Sequence, residues 1–219
     1  MQRTHLKLRQ RELGLSLIEI LIVMGVIALL SAISLPYIYN YKKLYKSEDQ
    51  ALKVIDLMRE ANQLAITRRR LIRFEIDRTA NSVLLIDGNG PGAADDLQIK
   101  SIPLELVREV RFDQIPTGVT KPIPPNYTDI AFSVDAVGHL RGATWVIGNS
   151  VWQAGFLPDG SVVNTANVPL SVNIYMWPPV TSGSTTARNK SEVRAITMFG
   201  GTGAIRYWKH NGTTFVATN

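Results

Sequence analysis

Glu19 is the residue whose position asks most for a chemical explanation. It sits at the start of an apolar run, and between Glu19 and Lys42 lie 22 uncharged positions. A carboxylate deep in such a run costs roughly 2.5–3.5 kcal/mol on insertion scales, so it needs a partner or a use. Ser16-x-x-Glu19 fits a capping box, in which the carboxylate reaches back to a free backbone N–H. An ordinary signal anchor that tolerates one acid is another reading, and electrostatic pairing with a cation is a third. Gly14, five residues earlier, lacks the Cβ that would keep another protein's backbone or active site at a distance.

The remaining chemistry-bearing residues are sparse. There is no cysteine, which removes disulfides, thiolate nucleophiles and cysteine metal sites. His5, His139 and His210 show no acidic or histidine neighbour at ligand spacing, and neither a nucleophile elbow nor a metal motif occurs. Asp87, Asn89, Asp95 and Asp96 surround a glycine-rich loop that offers hard oxygens to calcium, but without the twelve-residue order that ends in a bidentate Glu. Asn211-Gly-Thr213 matches a glycosylation sequon and equally a tight turn. No residue is nominated as catalytic, and the expectation is a protein that is not an enzyme, with no cofactor and no metal.

These residues must be carried by elements the pattern also predicts. The 219 residues are 45% hydrophobic and 19% charged, enough to bury a core. The net charge of +6 is partly a property of the first fourteen residues, which hold Arg3, Lys7, Arg9 and Arg11 against Glu12. Without them 20 basic and 17 acidic residues remain, so a nucleic-acid role cannot rest on bulk charge. The apolar run is long enough for a transmembrane helix and too long for a signal peptide's core, and it ends in the aromatic cluster Tyr37-Ile-Tyr-Asn-Tyr41. Basic residues flank it on both sides, so charge alone does not orient it. Beyond it Leu44, Leu52, Ile55, Met58, Ala61 and Ala65 recur at mostly three- and four-residue spacing, and one helix is expected from about Ser16 to about Thr67. Arg68–Arg70 complement the helix dipole at its C-terminal end.

From Leu71 onward the composition is β-like. Leu71–Ile76 and Ser82–Ile86 predict a hairpin, and further strands are expected at Leu104–Phe112, Ile130–Val134, Val151–Leu157, Leu170–Trp177, Val193–Phe199, Ala204–Trp208 and Thr214–Ala217. Gly88–Asp96, Thr117–Tyr127, Pro158–Gly160 and Gly200–Gly203 carry turn signals, and Pro178–Ser191 reads as a mobile surface loop. The fold class is therefore α+β: a long N-terminal helix, transmembrane in its first half and amphipathic in its second, packed on an antiparallel β-rich head.

Gly14-Leu15-Ser16-Leu17-Ile18-Glu19, with the basic leader before it and Ile20-Leu-Ile-Val-Met24 after it, resembles the prepilin cleavage motif of type IV pilins and pseudopilins. That resemblance implies a leader (1–14) removed after Gly14 by prepilin peptidase and N-methylation of Leu15. It implies that Glu19 sets the register between subunits, paired with the Leu15 amine of its own or a neighbouring chain. Pro36 falls where the family has a helix-kinking proline. Leu15 stands where phenylalanine or methionine is commoner, and Ser16 where threonine is. The implied organisation is 15–41 in the inner membrane, 42–68 as the amphipathic half and 69–219 as an extracytoplasmic head. The implied partners are the peptidase, the membrane and other pilin or pseudopilin subunits.

Two pieces of the head resemble the FimT/GspH branch. Trp152-Gln-Ala-Gly-Phe156-Leu-Pro-Asp-Gly160 is similar to its central strand and turn, and Thr197-Met-Phe-Gly-Gly-Thr202-Gly203-Ala204-Ile205-Arg206 to its closing hairpin. The resemblance implies a structural subunit of a type II secretion pseudopilus or a type IV pilus. It also implies an alternative, a DNA-binding minor pilin of an uptake system, in which Arg206 and Lys209 grip phosphates. Ala204 stands where that motif's first arginine would be, which counts against nucleic acid as a partner.

Overall fold

A computed structural model describes residues 16–88, 95–123 and 127–218, with the backbone alone over 36–44. A single helix, α1, is assigned over Leu17–Arg68. The chain divides into two units, Met1–Lys43 and Leu44–Asn219. In the first, every described side chain from Leu17 to Leu35 is exposed. In the second, the rest of α1 packs on the strands.

The packed face of α1 follows the helical period: Ser47, Ala51, Val54, Ile55, Met58, Ala61 and Ala65 are buried. One expected member is wrong. Leu52 is 46% exposed, because Ala51 takes the position facing the strands and the neighbouring residue is turned about 100° away. The helix ends with Arg69 at φ 54°, a left-handed conformation unusual for a side chain of this size, and the Arg70 N–H donates to the Ala65 carbonyl at 3.2 Å. That bond closes the last turn of the helix.

The strands are β1 (Leu71–Asp77), β2 (Ser82–Gly88), β3 (Leu97–Pro103), β4 (Arg111–Asp113), β5 (Thr128–Asp129), β6 (Ser133–Val134) and β7 (His139–Arg141). They continue with β8 (Thr144–Val146), β9 (Ser150–Phe156), β10 (Val162–Val163), β11 (Val172–Trp177), β12 (Arg194–Phe199), β13 (Ala204–His210) and β14 (Phe215–Thr218). They form two sheets. The first runs β10-β9-β1-β2-β3-β7-β8 with β6 on β9, and the second runs β14-β13-β12-β11-β4 with β5 on β11. Neighbours are antiparallel except β3–β7 and β5–β11. The α+β expectation holds at this level: an apolar N-terminal helix and a β-rich part built mainly of antiparallel strands.

Alternation along β1 explains the core. Ile72, Phe74 and Ile76 join the helix face, with Trp152 and Phe156 of β9 and Ile174 and Met176 of β11. Phe74 and Trp152 meet edge to face, centroids 6.2 Å apart. A smaller cluster of Tyr175, Trp177, Val193, Ala195 and Trp208 covers the other face of the second sheet.

Three other expectations are corrected. Leu104–Phe112 is not one strand, since Leu106 O accepts from Glu109 N and Val110 N in a turn, and only Arg111–Asp113 is extended. That turn carries Glu105 and Glu109 onto the same lysine, Lys46 Nζ, at 3.1 and 3.2 Å. Strands β3, β7 and β8 had no counterpart in the reading of the sequence. The Pro178–Ser191 segment is pinned: Arg188 N bonds Pro178 O, and Arg111 Nη1 donates to the carbonyls of Gly183 and Ser184.

Candidate functional site

Two regions hold candidate functional groups, and the first is the start of α1. Ser16 caps the helix, its hydroxyl accepting from the Glu19 N–H at 3.3 Å. This is half of the capping box anticipated from Ser16-x-x-Glu19. Glu19 lies in the first turn, where a carboxylate complements the helix dipole, and its side chain is exposed. Leu17–Leu35 is long and apolar enough to cross a membrane. Gly14 and Leu15 lie outside the described residues. The backbone at Pro36 is helical, and its side chain belongs to the segment described by backbone alone.

The residues expected on the closing hairpin are separated by the pleat. Ile205 and Tyr207 turn toward the main core and Trp208 toward the smaller cluster, so Arg206 and Lys209 lie on opposite faces of β13. Arg206 is exposed, its guanidinium carbon 5.5 Å from the centre of the Trp208 ring. Lys209 Nζ instead bonds Glu48 Oε1 of α1 at 2.5 Å. Glu48 also takes Arg194 Nη2 at 3.4 Å. Because Arg194 and Lys209 are directly opposed across β12–β13, this one carboxylate neutralises a like-charge pair. Burial acts to raise the Glu48 pKa, but the two cations outweigh it and hold it below its ordinary value.

The second region came from no sequence motif. On β1 the residues between the core positions are Arg73, Glu75 and Asp77, a polar row on the opposite face of the strand. A polar face would normally meet water, yet these residues are buried. The reason is topological. β6 pairs with the outer edge of β9 and β7 with the outer edge of β3, so residues 135–138 between them form a strap over that face. The strap brings Asp135 and His139 with it, both buried.

Within this roofed layer Arg73 Nη1 pairs with Asp96 Oδ2 at 2.9 Å, and Nη2 donates to the strap carbonyl of Gly138. Gln153 of β9 donates from Nε2 to Glu75 Oε2 at 2.8 Å and to Asp135 Oδ1 at 2.9 Å. Asp135 Oδ1 also accepts from the N–H groups of Val137 and Gly138. Asp77 accepts from Ala80 N and from Asn149 Nδ2. Glu75 Oε1, Asp135 Oδ2 and His139 Nδ1 are left with no hydrogen-bond partner. Burial, reinforced by the Asp135 charge and only partly offset by Arg73, pushes Glu75 up to about 7. Burial, with Arg73 acting the same way, lowers His139. Asp96 is raised by burial despite Arg73.

The expectation that His139 has no acidic neighbour is therefore wrong. Asp135 is four residues before it, and Glu75 arrives from another strand. The available signal was the run Arg73-x-Glu75-x-Asp77, three charged residues on one face of a strand whose other face is wholly apolar. The proposed calcium loop does not gather in the same way: Asp87 Oδ2 binds Arg68 and Asp96 binds Arg73, while 89–94 lie outside the described residues.

Comparison of the chain with models of protein families, with curated proteins and with solved structures found no match.

Proposed function

We propose that the chain is a membrane-anchored structural subunit of a type IV pilin-like filament, in a pilus or a type II secretion pseudopilus. Prepilin peptidase cuts after Gly14, Leu15 is methylated, and the head stands outside the inner membrane. The observation that carries this reading is the exposed apolar helix Leu17–Leu35 with a single carboxylate, Glu19, in its first turn. In a helix that only anchors, the charge there serves the helix terminus alone. A helix that must find its register against identical helices gains more from it, because an unpaired carboxylate in hydrocarbon is penalised until a cation meets it. The amine released at Leu15 is such a cation.

The β-rich unit supports a structural role by its composition of interactions. Its ion pairs tie α1 to the turn before β4, through Lys46 with Glu105 and Glu109, and to β12 and β13, through Glu48 with Arg194 and Lys209. The test is mass spectrometry of the protein extracted from membranes of cells with active prepilin peptidase. The expected terminus is methylated Leu15, and an intact Met1 terminus sinks the proposal. Glu19→Val is expected to insert into membrane as well as the native chain and to enter filaments poorly. Incorporation at native levels would leave Glu19 with only its capping-box role.

A further inference from the structure

We propose that Glu75, Asp135 and His139 form a binding site for one divalent transition-metal ion of the zinc class, which clamps the 135–139 strap onto the first sheet. The site is independent of the filament reading and draws on none of the residues used there.

Geometry comes first. One donor atom from each of the three residues lies within 4.8 Å of the other two. A point among atoms so spaced is no more than about 2.8 Å from each, against roughly 2.0–2.2 Å for Zn–N and Zn–O bonds. Side-chain rotations of less than about 1 Å close that gap. The donor set is one imidazole nitrogen and two carboxylates, which suits zinc-like ions rather than the all-oxygen preference of calcium or magnesium.

Unsatisfied atoms make the second argument. Glu75, Asp135 and His139 are 0%, 3% and 2% exposed, and each keeps one polar atom without a partner. Leaving such an atom unpaired forfeits its solvation without return, and the loss is greater for a charged group. Each of the three residues that cluster by donor distance thus also keeps a lone pair that no N–H occupies, which is what a metal ligand needs. Gln153 accounts for the arrangement: its amide holds Glu75 Oε2 and Asp135 Oδ1, so the opposite oxygens, Oε1 and Oδ2, are the free ones. Outer donors of this kind commonly fix metal-bound carboxylates.

Charge makes the third. The roofed layer holds four carboxylates, of Glu75, Asp77, Asp96 and Asp135, and one guanidinium, that of Arg73. Arg73 is engaged by Asp96 at 2.9 Å and its Nε stands 3.8 Å from Glu75 Oε2. Glu75 and Asp135 therefore share a deficit of positive charge that a dication supplies. His139 also forms part of the wall of a cleft of about 430 Å³ that meets Asp77, Asn149 and Arg141. In a chain without cysteine, such an ion does the fastening that a disulfide does elsewhere.

The experiment uses the full chain in detergent, stripped with a chelator and titrated with Zn²⁺ by calorimetry. One equivalent is expected to bind and to raise the unfolding temperature. Glu75→Gln and His139→Ala should each weaken that binding at least tenfold, whereas His210→Ala and His5→Ala should leave it unchanged. Equal affinity in all four variants means adventitious surface binding and overturns the proposal, as does the absence of an equimolar site. Should the two site variants fail to fold, X-ray absorption of the Co²⁺-loaded native chain decides. One imidazole among oxygen ligands supports the site, and a shell with no imidazole or with two or more refutes it.

Discussion

Gly203→Ala is expected to destabilise the β-rich unit far more than a glycine-to-alanine change normally does. Gly203 has φ +65°, and a Cβ there would collide with the carbonyl oxygen of Gly160 and lie 3.0 Å from Asn62 Nδ2. The left-handed backbone costs an alanine about 1–2 kcal/mol, partly offset by about 0.4–1 kcal/mol from the stiffer unfolded chain. Forcing a methyl against a backbone carbonyl that cannot rotate away adds a further ~1–3 kcal/mol. The sum is about 1–4.6 kcal/mol. Gly142 is the internal control: its φ is +63°, and a Cβ there meets nothing within 4 Å. Gly142→Ala therefore carries the conformational cost alone, about 0–1.6 kcal/mol. Urea unfolding of the Leu44–Asn219 fragment, followed by tryptophan fluorescence, measures both. With a slope of roughly 2 kcal/mol per molar, Gly203→Ala should lower the midpoint by about 0.5–1.5 M more than Gly142→Ala, whose own shift is no more than about 0.8 M. Equal shifts for the two variants would refute the reasoning, since the turn at Gly200–Gly203 would then not press on the Pro158–Gly160 turn.

Glu48 should make the unit acid-sensitive. Its folded pKa lies below the ordinary 4.5, so its stabilisation is fully present above that value and is lost as pH falls through the lowered one. Glu48→Gln should be less stable than the native unit at pH 7 and should lose less further stability between about pH 5 and 3; parallel denaturation curves across that window would contradict the ion-pair account. DNA binding by the Leu44–Asn219 unit is expected to be undetectable at physiological salt, because Lys209 is engaged by Glu48 and Arg206 stands on the other face of β13. A salt-dependent affinity whose log–log slope shrinks by about two units in the Arg206→Ala, Lys209→Ala double variant would move the protein to the DNA-uptake class.

What could be read without coordinates was whatever depends on near neighbours along the chain. The apolar run after Glu19, the amphipathic period from Ile55 to Ala65, the β1–β2 hairpin and the β12–β13 pair all announce themselves within some twenty residues. Each pattern repeats at 3.6 or 2 residues, and burial follows it. Leu52 was misplaced because a one-residue phase error on a helix is invisible until the packed face is seen. Strands β7 and β8 have only three residues each, and β3, though seven residues long, has no buried face to mark it, so all three show weak patterns in the sequence.

The roofed polar layer belongs wholly to the tertiary structure. Arg73, Glu75 and Asp77 read as the solvent face of a strand, and nothing local says that residues 135–138 will cross over them. Only the pairing of β6 with β9 and of β7 with β3 does so, which sets Gly138 against Arg73, 65 residues earlier in the chain. That closure turns four ordinary surface carboxylates into a buried negative cluster, raises Glu75 to about 7 and leaves three polar atoms without partners. Strand periodicity dictates which side chains share a face. Whether that face meets water or another part of the chain depends on long-range topology, and so, through desolvation, does the chemistry of the residues on it.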